Sequence, residues 1–157
     1  MMRFAEDANY FMTTVHPANS MGEIQALLDD FGATSINTMT GQNGDKVVWM
    51  IRFRWLDKTY RFTFTPLNCR APEKVLTVAG KKRSALDQSK YQMGRIAVYC
   101  VKAILTAAEA MPAALFGFAE LAVTNDQGMP ATVYELNIDG LTRALPDLTL
   151  RALGAGE

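Results

Sequence analysis

The alternation of apolar and polar positions is clearest in KVVWMIRFRWLDKTYRFTF, residues 46–64. A period of two on either side of a break near Asp57-Lys58 predicts two antiparallel strands, at about 46–56 and 59–65. Pairing them around Asp57-Lys58 sets Trp55 opposite Tyr60, Phe53 opposite Phe62 and Ile51 opposite Phe64 on one apolar face. The other face then carries Arg54 across from Arg61, with Arg52 beside them, although like charges directly opposite on a sheet are destabilising. Upstream, Asn43-Gly44 is a two-residue hairpin signal, and the ATSINTMT before it has strand composition. The three segments together predict a three-stranded antiparallel meander.

A spacing of three and four residues marks the helices. Ser20-Met21-Gly22-Glu23 has the form of a capping box, Ile24, Leu27, Leu28 and Phe31 follow at helical intervals, and Gly32 supplies a stop. Ser84 opens the longest helix, at about 84–110, which ends before Met111-Pro112. It is apolar around most of its circumference except for one stripe: Gln88, Gln92, Arg95, Tyr99, Lys102, Thr106 and Glu109. That pattern describes a central helix packed under a sheet, with Gly94 allowing close approach to a strand. AALFGFAEL then reads as a short helix, LAVTNDQGMPATVY as a hairpin turning at Asp126-Gln127-Gly128, and 133–145 as a final amphipathic helix. PLNCRAPEKVLTVAGKKR, residues 66–83, has two prolines, one glycine and five bases against one acid, and predicts a basic loop. The expected fold is α+β in a single domain over 1–157: an N-terminal helix, a three-stranded antiparallel meander packed on a long central helix, and a small C-terminal hairpin and helix. Residues 1–12 and 152–157 are expected to be flexible.

Charge changes the picture because its overall balance hides an asymmetry. The chain is neutral in sum, yet residues 1–44 hold one base against five acids, 45–102 hold thirteen bases against four acids, and 103–157 hold two bases against seven acids. A basic middle of this kind suggests a polyanion or an acidic protein surface as partner. The alternative, that the acidic ends fold back over the middle and neutralise it, stays open. Aromatic residues interleave with the bases, but by alternation most of them share the apolar face, which leaves arginines and lysines to contact phosphate with little sequence preference.

Catalytic chemistry is poorly represented. His16 is the single histidine and reads as an ordinary surface residue. There is no HExxH, metal-spaced Cys/His set, P-loop or Gly-x-Gly-x-x-Gly. Asp29 and Asp30 are adjacent at a helix end and point in different directions. Cys69 and Cys100 lie 31 positions apart and read as two reduced thiols. No catalytic residues, metal ligands or cofactor are therefore expected, and the chain is not expected to be an enzyme. No run of about 18 apolar residues predicts a membrane helix. The acidic N-terminus is unlike a signal peptide, so the expected location is the cytoplasm.

The succession SMGEIQALLDDFGATS, KVVWMIRFRWLDKTYRFTF, QSKYQMGRIAVYCVKAILTAAEA and AALFGFAELAVTNDQGMPATVYE resembles a family of small, uncharacterised proteins of phages and integrated elements, over roughly residues 13–136. The resemblance implies a mobile-element origin, hence a host cytoplasm, and no catalytic role. Ile104-Leu105-Thr106 departs from that pattern, which is more polar there. The layout of helix, three antiparallel strands, basic loop and long helix is also similar to the core of single-strand annealing proteins. That similarity implies a basic groove between sheet and helix, with Arg52, Arg54, Arg61, Lys81, Lys82, Arg83, Lys90, Arg95 and Lys102 as phosphate contacts, and is compatible with a homo-oligomer. The expected function is non-catalytic binding of nucleic acid, single-stranded DNA preferred, through its backbone and with an annealing-type role. A phage-encoded inhibitor that binds an acidic surface of a host defence protein, of the anti-CRISPR or anti-restriction type, is the competing expectation.

Overall fold

The computed structural model of the chain describes residues 2–136. Pro17 begins helix α1 (Pro17–Phe31), where its fixed φ suits the first turn, and the Nδ1 of His16 caps it by accepting from the N–H of Ala18 at 3.1 Å. Gly32 ends it in the left-handed conformation, the ending that its sequence position predicts. The capping box expected at Ser20 is not a cap. The helix starts three residues earlier, and Ser20 is a fully buried interior residue.

Strands β1 (Thr34–Asn43), β2 (Lys46–Trp55) and β3 (Lys58–Phe64) form the antiparallel meander in the order β1-β2-β3. The β1–β2 turn is Gly44-Asp45, one residue later than expected, with Gly44 at φ 62°. The β2–β3 register differs from expectation by two residues. Trp55 lies opposite Lys58, Phe53 opposite Tyr60, Ile51 opposite Phe62 and Arg52 opposite Arg61. The reason is the turn: Leu56 and Asp57 both take positive φ, 47° and 62°, the geometry of a tight two-residue hairpin whose twist matches its strands. A slip of two keeps every side chain on its face, so the apolar side is as expected.

That side carries Trp49, Ile51, Phe53, Tyr60 and Phe62, all buried. It packs with Ile24 and Leu28 of α1 and with Met93, Ala97, Val98, Val101, Leu105 and Ala108 of α2 (Ala85–Ala110). Ser84 caps α2 by accepting from the N–H of Asp87 at 3.1 Å. The close approach predicted at Gly94 is made chiefly to the other helix. A Cβ there would lie 2.9 Å from Ser20 Cβ and 3.3 Å from a ring carbon of Trp49.

Two expectations about irregular chain are corrected. Residues 66–83 are not one loop, because Val75–Val78 and Lys81–Ser84 pair as strands β4 and β5, turning through Ala79 and Gly80 at φ 49° and 79°. Residues 2–12, expected to be flexible, are pinned to the front of α2. Ala5 and Phe11 are buried with Ala85. Gln92 donates to the carbonyls of Ala5 and Asn9, both at 2.9 Å, and Gln88 to those of Phe11 and Thr13 at 2.7 and 2.8 Å. The first half of the α2 polar stripe thus satisfies the carbonyls of an irregular segment, while Lys102, Thr106 and Glu109 face solvent.

After a 3₁₀ segment (Pro112–Phe118) the chain forms the hairpin β6 (Glu120–Thr124) and β7 (Pro130–Thr132), then the short helix α3 (Val133–Leu136). Ala119 bridges to Tyr60, which brings this hairpin to the β3 edge. The remainder of the helix expected over 133–145, and the 152–157 tail, lie outside the described residues.

Candidate nucleic-acid interface

The two arginines that face each other across β2 and β3 are held by carboxylates. Glu120, at the start of β6, accepts from Arg52 Nε at 2.9 Å and from Arg52 Nη2 at 2.7 Å, and stands 3.7 Å from Arg61 Nε. Arg61 Nη2 donates to Glu135 at 2.8 Å and to the carbonyl of Pro130 at 2.9 Å. Arg61 is only 2% exposed, so its charge is buried beneath the C-terminal hairpin. Two guanidinium groups sharing a nearly buried carboxylate convert a repulsive pair into an attractive triad. The acidic end of the chain does fold back here. Binding to Glu120 also raises the pKa of Arg52 above its ordinary value. A cavity of about 580 Å³ remains between hairpin and sheet, lined by Arg61, Met50, Thr63, Asn125, Asp126 and Glu135 among others.

Arg95 has the same fate on α2. Its Nη1 donates to Ser20 Oγ at 3.2 Å and to Glu23 at 2.9 Å, while Nη2 meets the second Glu23 oxygen at 3.0 Å. The Ser20 and Glu23 pair that looked like a cap is the seat of this guanidinium. The hydrogen bonds from Arg95 hold the Glu23 carboxyl below its ordinary pKa against the opposing effect of burial, and Glu23 in turn raises Arg95.

The bases of the β4–β5 ribbon are arranged differently. Lys81 and Lys82 are exposed, and Arg83 half-buried, on a two-stranded element that leads directly into α2. Alternation along the strand puts Lys82 on one face and Lys81 with Arg83 on the other. Arg83 donates to Gln88 at 3.2 Å, and its guanidinium lies 4.0 Å from the centre of the Tyr91 ring, a cation–π contact that fixes the group without neutralising it. Among the described residues, none of these three lies within ion-pair distance of a carboxylate. Lys74, at the foot of the ribbon, is likewise exposed and free of such a partner among the described residues. It belongs with the site, and sequence inspection counted it among the loop bases without selecting it.

The remaining candidates are scattered. Arg54 is exposed on the outer face of the sheet beside Arg52, Lys90 pairs with Asp87 at 3.2 Å, and Lys102 is exposed far along α2. Lys90, Arg95 and Lys102 sit on the helix that packs against the inner face, so they are separated from Arg52, Arg54 and Arg61 by the sheet itself. Between sheet and α2 lies the apolar core, where a basic groove had been expected. Burial raises the pKa of both Cys69 and Cys100, which keeps the thiols protonated and weakly nucleophilic at neutral pH. Among the described residues no group of three or more His, Cys, Asp or Glu side chains is placed to hold a metal, and no helix is long and apolar enough to cross a membrane.

No protein-family model, curated protein or solved structure matches the chain. The phage-family resemblance rests on the sequence stretches that suggested it.

Proposed function

We propose that the protein is a non-catalytic nucleic-acid-binding protein of phage or prophage type that contacts the phosphate backbone through the β4–β5 ribbon. The observation that carries this reading is the contrast in pairing. Lys81, Lys82, Arg83 and Lys74 have no carboxylate partner among the described residues, whereas Arg52, Arg61 and Arg95 are each held by one. Unpaired surface cations release counterions when they meet phosphate, while paired ones must first break an internal bond. A single strand is the better fit. The Arg83 guanidinium, held 4.0 Å from the centre of the Tyr91 ring, sets a cation and an aromatic side chain together where an unpaired base can stack. Arg54, exposed on the outer sheet face beside the carboxylate-held Arg52, forms a second, weaker point of contact.

The test is fluorescence anisotropy of a labelled single-stranded oligonucleotide, with a duplex control, at about 50 and about 200 mM salt. The reading predicts binding that weakens by at least tenfold over that range and is tighter for the single strand. Absence of binding at the lower salt overturns it and assigns the ribbon to an acidic protein surface, the chemistry of a host-protein inhibitor.

A further inference from the structure

A tyrosine in the left-handed region of backbone space is costly, because its Cβ crowds the following carbonyl. Tyr10 takes φ 67°, and the fold holds it there from both sides. Gln92 donates to the carbonyl of Asn9 at 2.9 Å, and Gln88 to that of Phe11 at 2.7 Å. The N–H of Thr13 donates to the carbonyl of Tyr10 itself at 3.1 Å. Both glutamines are fully buried on α2. The burial gained by this strained arrangement is small. The Tyr10 ring stacks on that of Tyr99, with centroids 4.9 Å apart and planes 13° apart, yet the two residues are 43% and 48% exposed. Backbone strain that surrounding hydrogen bonds enforce, and that presents a surface feature, is typical of binding sites.

The surroundings of this aromatic pair are cationic. Tyr91, Arg95, Tyr99 and Lys102 follow one another at intervals of four, four and three residues, so they share one side of α2. The Arg95 guanidinium lies 5.7 Å from the centre of the Tyr99 ring. Lys102 is exposed, with no carboxylate at ion-pair distance among the described residues. Nearby acids are occupied: Glu23 by Arg95, Asp7 by Arg70, and Glu6 by the backbone N–H groups of Arg70 and Ala71. Glu109, two turns beyond Lys102, ends the basic side. Two turns before Tyr99 stands Tyr91 with the guanidinium of Arg83. The two aromatic–cation groups are about 12 Å apart along the helix axis, a span that a single strand covers in a few nucleotides. Given the nucleic-acid reading of the ribbon, on which this assignment rests, we propose that Tyr10 and Tyr99 are a stacking platform for unpaired bases. The strand then runs from the β4–β5 ribbon along α2 towards Lys102.

Anisotropy titrations of a single-stranded oligonucleotide with the full chain test the platform. Tyr10→Gly removes the ring and suits the positive φ, so the fold is kept. Tyr99→Leu removes the other ring at a helical position that accepts leucine. Each is expected to weaken binding about fivefold or more, the loss of one stacked base. The slope of log affinity against log salt should stay at the native value, because no phosphate contact is removed. Tyr99→Phe, which keeps the ring, should bind as the native chain does. With the native chain, an oligonucleotide substituted with iododeoxyuridine should crosslink on irradiation to Tyr10 or Tyr99, as mapped by mass spectrometry. If the native chain binds but both ring-deleting variants bind equally well, or the crosslinks map to neither tyrosine, the platform is overturned while the ribbon reading stands. No binding by the native chain at low salt overturns both.

Discussion

The outer face of the sheet and the β4–β5 ribbon are equally basic in sequence, and the fold treats them in opposite ways. On the sheet, Arg52 and Arg61 face each other, and Glu120 of β6 with Glu135 of α3 closes over them. On the ribbon, Lys81 and Lys82 project into solvent, and Arg83 lies on an aromatic ring with no carboxylate within ion-pair distance among the described residues. The difference lies in what the chain brings opposite each cluster. β3 is an edge against which a later acidic segment can dock, whereas the ribbon is an excursion before α2. Cations on a docking edge hold the fold together, and cations on an excursion remain available to a partner.

The largest effect should come from Arg61→Met. Removing this buried guanidinium leaves Glu135 without its counter-charge and Glu120 with Arg52 alone, at a cost of about 3–5 kcal/mol, to be read from chemical denaturation. A loss below about 1 kcal/mol would place Arg61 with the ribbon bases. Gly94→Ala should cost about 1–3 kcal/mol by overpacking. The new methyl group would meet Ser20, which accepts from Arg95, so this substitution perturbs a paired cation from behind. The paired class should also show itself in acid. Arg95 holds the folded-state pKa of Glu23 below 4.5. Glu6 is held below 4.5 as well, burial being outweighed by the backbone N–H groups of Arg70 and Ala71. Each group therefore adds stability that is complete above about pH 4.5 and is lost as pH falls through the lower folded value. Melting temperature followed from pH 6 to pH 3 should fall, and the fall should be shallower in Arg95→Met. The smallest effect on stability belongs to Lys81→Glu with Lys82→Glu, within about 0.5 kcal/mol, as for ordinary surface sites.

Much of this fold was legible because hydrophobic period reports burial directly. The faces of β2 and β3, the length of α2 with its Ser84 cap and the Gly32 stop all follow from local pattern. Details that depend on partners distant in sequence were not legible. A two-residue turn at Leu56-Asp57 carries no glycine, so the register slipped by two while every face survived. Val75–Val78 is short and set among proline, glycine and lysine, which hid a hairpin whose turn uses Ala79 in a left-handed conformation. Ser20 and Glu23 have the spacing of a cap, but Pro17 three residues earlier starts the helix and frees both for Arg95. The charge asymmetry showed that acids and bases were segregated along the chain. It could not show that Glu120 and Glu135 reach the sheet while no acid among the described residues reaches Lys81 and Lys82.

The most direct test of that division measures binding of a single-stranded oligonucleotide, and its salt dependence, for the native chain beside Lys81→Glu/Lys82→Glu and Arg52→Gln. Each phosphate contact removed should lower the slope of log affinity against log salt by about one. The ribbon variant is predicted to lose about two from the slope and most of the affinity, while Arg52→Gln stays near the native values. Equal losses in both variants, or a ribbon variant that binds as the native chain does, would contradict the account.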